Sequence, residues 1–354
     1  MPERMHGSSS QELNTLSGAE DYLCEERYRP EWLKDGVTES TIESVFSRRH
    51  VIRSIAEELA HSDRFYLIGS GGSYAVQHPI RYVADRYTDV PIHQFSGWEF
   101  LERKPAGVRP GATCIFISHS GKTKEVLRAL DWAKERGATT LGIAQHDDAP
   151  ICTRADHGFG TVGRGVTIGK LTSLYFLFGC IFKEKGLEVG SRLIELAGSL
   201  PDVLPGMIPR AKERARRLGL EFKDERHFFV VGGGVNYGLA YQFSMCTLME
   251  MCWVNSTPVD YSEFRHGPIE MFAPGSAAIF LKGRGDEGEL EDAVVDFASR
   301  NGVHLVVCDS LGLDVDNLLT PFTLFIELEW FSYYLSLAKN RNMERWRYYD
   351  KVEF

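Results

Sequence analysis

The sequence predicts an α/β protein made of two doubly wound parallel sheets, each a three-layer α/β/α unit, related by duplication. Two observations carry that reading. Short apolar runs, "RFYLIG", "ATCIFI" and "TTLGIAQ", alternate with amphipathic stretches between residues 64 and 145, and strands apolar along their whole length belong to parallel sheets covered on both faces. The order of strand, glycine-rich turn and helix then restarts near residue 227 with "HFFVVGGGVNYGLAYQFSMCTLMEMCW", the mark of an internal repeat. In open sheets of this kind ligands sit beyond the carboxyl ends of the strands, where the Gly/Ser turns fall.

Each element follows in order. The opening "MPERMHGSSSQELNTLSG" has no apolar core of signal-peptide length and reads as a loose arm. From about residue 40, "TIESVFSRRHVIRSIAEEL" sets Ile42, Val45, Phe46, Val51, Ile52, Ile55 and Leu59 near one helical face. "RFYLIGSGGSYAVQHPIRYVADRY" reads as strand, turn and helix; "ATCIFISHSGKTKEVLRALDWAKERG" repeats it, with Gly137 as the helix C-cap. "LTSLYFLFGCIF" (171–182) is too short to span a bilayer and reads as a buried helix. Residues 187–226 are charged and helical and cover or link the halves, and "SAAIFLKG" and "VHLVVCD" add buried strands. The expected division is an arm and helix over 1–49, a first α/β half over 50–195, a second over 196–335 and a tail over 336–354.

Composition narrows the class. A chain of 354 residues, 43% hydrophobic, can bury two cores of ordinary size. The net charge of −9 argues against a general nucleic-acid binder. Seven scattered cysteines (24, 114, 152, 180, 246, 252, 308), with no CxxC pair, read as reduced and mostly buried thiols of a cytoplasmic protein. No membrane partner is expected.

Four stretches bear on chemistry. "FISHSGKTKEV" places Ser118, Ser120, Gly121 and Thr123 where a strand becomes a helix. Exposed amides and the helix dipole favour an anion there, a phosphate first of all, while the competing reading is a simple N-cap. The turn "GSGGSY" (69–74) fails the dinucleotide fingerprint on glycine spacing and suits a smaller group. Glu250, flanked by Leu248, Met249, Met251, Cys252 and Trp253, is desolvated by its neighbours; this suits a proton-transfer base, or equally a buried carboxyl satisfied by a polar partner. His266 precedes Gly267-Pro268 in "EFRHGPIE", a turn that would expose the imidazole for proton transfer or serve structure alone. "AQHDDAP" offers His146, Asp147 and Asp148, but adjacent residues chelate poorly and the motif is good turn chemistry, so no metal is expected.

Two α/β halves, "GGSY", "SHSGKT" and a Glu sixteen residues before the His of "HGP" resemble the sugar isomerase (SIS) domain proteins, in the order found in the isomerase half of glucosamine-6-phosphate synthase. "MEMCW", "SEFRHGPIE" and "RYYDKVEF" resemble the fructosamine-6-phosphate deglycases, and the likeness covers roughly residues 50–354. The resemblance implies that Ser118, His119, Ser120 and Thr123 bind a sugar phosphate, with Gly72 and Ser73 lining the pocket. It implies Glu250 as the C1/C2 proton-transfer base and His266 as the ring-opening group, supplied in the synthase by the other subunit of a homodimer. It also implies Lys351, in the tail, as a substrate contact. His119 stands where the synthase has Gln, Thr247 where it has Lys, and no glutaminase domain is present. The implied activity is deglycation of a fructosyl-amino acid 6-phosphate to glucose 6-phosphate without a cofactor. The alternatives are an aldose–ketose isomerase, a glucosamine-6-phosphate deaminase, or a non-catalytic sugar-phosphate sensor.

Overall fold

The structure is a computed structural model that describes residues 28–286, 288–348 and 351–352. Most of the expected arm, Cys24 and part of the final "RYYDKVEF" therefore lie outside the described residues. The first half opens with helices α1 (Val37–Ser47) and α2 (Arg49–Leu59), divided at Arg48, where a single expected helix breaks. It continues through β1 (Arg64–Gly69), α3 (Gly72–Ala75), α4 (His78–Tyr87), β2 (Ile92–Ser96), α5 (Gly97–Arg103), β3 (Ala112–Ile117), α6 (Lys124–Glu135), β4 (Thr139–Ala144), α7 (Pro150–Arg154) and β5 (His157–Gly160). Two long helices, α8 (Val166–Glu184) and α9 (Glu188–Glu221), lead to the second half. There β6 (His227–Gly232), α10 (Tyr237–Gln242), a π-helix (Phe243–Cys252), β7 (Asn255–Asp260), β8 (Ala277–Leu281), α11 (Gly288–Arg300), β9 (His304–Cys308) and α12 (Thr320–Ala338) follow.

Both sheets are wholly parallel. Their orders are β2-β1-β3-β4-β5 and β7-β6-β8-β9, so the first strand of each half stands second and the third lies on its other side. This shared permutation is the topological counterpart of the repeated sequence pattern. The residues of each strand divide between two layers. In β1, Phe65 and Leu67 join the core between the sheets, while Tyr66 and Ile68 pack with Phe100 and Phe116 on the outer face. In β6, Phe228 and Val230 face the same central core and Phe229 and Val231 the opposite one. Side chains alternate along a strand, so apolar residues at every position are what a sheet buried on both faces requires.

The central layer is built from α8, α9 and α12, whose buried residues form one core with the inner faces of both sheets. Among the described residues α8 is the one helix long and apolar enough to cross a membrane, and 83% of its apolar window is buried inside the fold. The division at residue 196 falls within α9, which is continuous there.

Candidate active site

The direction in which strands are added to the sheet reverses at the β1/β3 pair, and Gly69 pairs with Ile117 at their carboxyl ends. The two Ser/Gly turns thus flank the crevice where doubly wound sheets take ligands. After β1, Gly71 adopts a positive φ of 55°, and a Cβ there would lie 3.5 Å from the sulfur of Cys246. Ser70 Oγ donates to Glu125 Oε1 at 2.7 Å, tying this turn to the first turn of α6.

After β3, the Oγ of Ser118 and Oγ1 of Thr123 share a hydrogen bond of 2.8 Å, and the Gly121 amide donates to Ser118 Oγ at 3.1 Å. The Lys122 amide donates to the exposed Ser120 Oγ at 3.2 Å. Thr123 stands at the N-cap position of α6, yet its hydroxyl makes no capping bond. The N-cap reading therefore fails for Thr123. The first amides of the 12-residue α6 have no acceptor within the helix, which leaves them available to an anion.

A second group closes on the crevice from α8 and the π-helix. Lys170, 7% exposed, donates from Nζ to Ser73 Oγ at 2.9 Å. Burial lowers its pKa to about 8, with Cys246 acting weakly against that shift. His119 is pushed down to about 4 by its own burial, then by the Lys170 charge and by His146, so its ring is neutral at physiological pH. The Cys246 thiol is pushed up to about 12 by burial and by Glu250, with Lys170 pulling the other way. Beside Gly72, Gln242 donates to Thr167 Oγ1 at 2.8 Å. Glu250 lies one turn beyond Cys246. Burial raises its carboxyl pKa, and the indole of Trp346, from the tail, lowers it in part.

The helix carrying Glu250 is a π-helix over ten residues, Phe243–Cys252, where the sequence pattern suggested one uninterrupted α-helix. Such i→i+5 segments are rare and recur at functional sites. It ends on Trp253 in the left-handed region at φ 58°. The guanidinium of Arg341 covers the Trp253 ring at 3.0 Å and donates to the Met251 carbonyl at 3.2 Å, anchoring the tail that brings in Trp346.

The chain of neighbours Ser118–Thr123, His119, Lys170, Ser73, Gly72, Cys246 and Glu250 brings most of the sequence-derived candidates together. His266 is not among them. Its ring is exposed, its amide donates to the Glu263 carbonyl at 2.9 Å, and no described side chain bonds to the ring. Gly267 and Pro268 beside it line a cleft of about 820 Å³ with His227 and Ala277, toward the amino ends of β6 and β8. Lys351 is exposed and donates to the Trp346 carbonyl at 2.9 Å, so it approaches Glu250 only through that residue. Asp147 accepts from the Gly160 amide at 2.7 Å and pairs with Arg48 at 2.6 Å, a structural use of its carboxylate.

Lys170 and Trp346 were missed in the sequence. The signal for Lys170 was a single cation inside the apolar run "IGKLTSLYFLFGCIF"; Trp346 offered none beyond its place in the tail. The equivalent turn of the second half is already occupied. There the fully buried Glu291 accepts from the Gly283 amide at 3.0 and 3.2 Å, just after β8. A carboxylate of the protein's own fills that anion position, so the first half is where an external anion can enter.

The model of the SIS domain family matches residues 58–172, which holds both Ser/Gly turns and Lys170. Among curated proteins, the chain is 28% identical to fructoselysine 6-phosphate deglycase of Escherichia coli K12, over 84% of this chain and 89% of that one. It is 27% identical to the fructosamine deglycase of Bacillus subtilis, over 82% and 93%. Among solved structures, a candidate phosphosugar isomerase from Bacillus subtilis superposes with a TM-score of 0.81 at 25% identity, over 88% of this chain and 99% of that one. The chain therefore matches the SIS domain over residues 58–172 and shares the fold of the Bacillus subtilis candidate phosphosugar isomerase.

Proposed function

We propose that this protein is a cytoplasmic, homodimeric deglycase that splits a fructosyl-amino acid 6-phosphate into glucose 6-phosphate and a free amino acid. One observation carries the reading: a carboxyl of raised pKa, Glu250, stands one turn from Cys246, which packs against the first of two Ser/Gly turns that flank one crevice. The deglycase names of two relatives, each matched over more than four fifths of both chains, support the substrate class.

In the proposed reaction, Ser118, Ser120, Thr123 and the first amides of α6 hold the 6-phosphate. His266, from the partner subunit, moves the proton that opens the fructose ring. Glu250 takes a proton from C1 of the open ketose, giving an enaminol, and delivers a proton to C2. The C1 imine that results adds water and expels the amine, leaving the aldehyde of glucose 6-phosphate. The raised pKa of Glu250 suits this transfer, since a carboxylate of low pKa is too weak a base to take the C1 proton readily. The substrate's own C2 carbonyl takes up the electron pair from C1, and its nitrogen then drives protonation at C2, so the scheme uses no cofactor.

The test is incubation with a panel of fructosyl-amino acid 6-phosphates and with glucosamine 6-phosphate, following glucose 6-phosphate through a coupled dehydrogenase and, in a second arm with phosphoglucose isomerase added, fructose 6-phosphate. Release from at least one fructosyl-amino acid 6-phosphate is expected. Turnover of glucosamine 6-phosphate alone would make the protein a deaminase, and interconversion of free sugar phosphates alone an isomerase.

A further inference from the structure

Lys170 poses a physical problem that the proton-transfer scheme leaves unsolved. Its ammonium is buried, with one hydrogen bond, to Ser73, and no carboxylate among the described residues lies within ion-pair distance. The titratable groups that face it are His119 from the turn after β3 and Cys246 from the π-helix, with Glu250 beyond Cys246. None is a partner: His119 and Cys246 are neutral at physiological pH, and Glu250 acts on Cys246 rather than on Lys170. A buried cation is kept only where something compensates it. Ammonium has three donors, and the protein uses one.

We propose that Lys170 is the counter-ion for the phosphate of the substrate, a buried ammonium whose charge is compensated by ligand rather than by protein, with Ser73 orienting it. This rests on the phosphate-site reading above and adds a coupled event to it. In the empty site burial lowers the Lys170 pKa to about 8, so above that pH the amine gives up its proton. A phosphate dianion beside the amine favours its charged form, so above that pH binding draws a proton onto Lys170. The substitution that removes the charge should therefore stabilise the empty protein while weakening its hold on ligand, the trade-off expected of a site that stores unfavourable electrostatics.

Calorimetric titration with glucose 6-phosphate and with inorganic phosphate at pH 8.5, in buffers of different ionisation enthalpy, reads both affinity and proton uptake. At that pH a phosphate monoester is already a dianion, Cys246 stays protonated and His119 stays neutral. A group titrating near 8 should take up about three quarters of a proton as its ligand binds. Lys170→Met and Lys170→Gln should abolish that uptake, weaken binding on the order of 10–100-fold and leave the ligand-free melting temperature equal to the parent's or higher. Lys170→Arg, which keeps the charge, should retain more affinity than either. Binding to the parent without proton uptake overturns the inference and needs no variant to fold. Unchanged uptake and affinity in Lys170→Met, or a lower melting temperature with unchanged affinity, also overturn it while leaving the phosphate site intact. A parent that binds neither phosphate compound removes the site and the inference together.

Discussion

The hydroxyls of Ser118 and Thr123 hydrogen-bond to each other at 2.8 Å across the turn that leads into α6. That bond holds both oxygens at the mouth of the β1/β3 crevice instead of spending either on the helix end. Thr123→Val keeps the side-chain shape and removes one hydroxyl. A charge-assisted bond to phosphate contributes roughly 1.5–3 kcal/mol, so KM for a phosphorylated substrate should rise on the order of 10–100-fold. Rates with the unphosphorylated sugar and the melting temperature should change little. Equal effects on both substrates would make the Ser118–Thr123 pair a purely structural bond.

Glu250→Gln keeps the volume of the side chain and cannot accept a proton. Its kcat should fall by about 10²–10⁴ with KM little altered. Exchange of the C1 hydrogen with solvent deuterium, followed by NMR, should stop with it. Exchange at the parental rate would assign the base to another residue. The same variant should gain stability at neutral pH. Burial raises the folded pKa of Glu250, so as pH rises the unfolded chain ionises first and stability falls between the two values. Gln removes that loss.

Trp346 gives the pH dependence a second handle. Its indole lowers the Glu250 pKa against the larger effect of burial, so Trp346→Phe should move the acid limb of kcat/KM to higher pH. The sign follows from the role: a general base works only when deprotonated, and removing the donor makes deprotonation harder. A limb that stays in place, or moves to lower pH, would separate Glu250 from the group that limits the rate.

The interior of the fold was legible because both faces of its central strands are buried. "ATCIFI" and "HFFVVG" are short and almost wholly apolar, as a strand covered on both faces requires. Three strands gave no such signal: β2 "IHQFS", β5 "HGFG" and β7 "NSTPVD". All three are sheet edges, paired on one side, so polar residues and even Pro258 cost them little. The turns of the site were legible for the same local reason, since glycines and hydroxyls follow directly on apolar strands. Lys170 was not, because its importance lies in what α8 packs against, with α6, β4, α7 and β5 between it and the phosphate-loop motif in the chain. The π-helix escaped as well. Its i→i+5 bonding leaves no mark on a run apolar nearly all round, such as "FSMCTLMEMC".

His266 and Glu250 occupy the same half of the chain, yet the exposed His266 ring bonds to nothing described around it. An exposed imidazole held by a Gly-Pro turn, with Gly267 at φ 128°, is well placed to enter a neighbouring subunit's site. If each site takes Glu250 from one chain and His266 from its two-fold mate, Glu250→Gln and His266→Ala homodimers are both inactive, because every site lacks one group. Unfolding the two together and refolding the mixture pairs subunits at random, so about half of the dimers are mixed. In each mixed dimer one site collects both substitutions and the other collects neither. Roughly a quarter of the parental activity should then return if the sites act independently. Native mass spectrometry of tagged subunits would establish that exchange has occurred. Exchanged dimers that remain inactive would place both residues in one chain's own site, and His266 would then have to reach Glu250 by movement of its turn rather than by assembly.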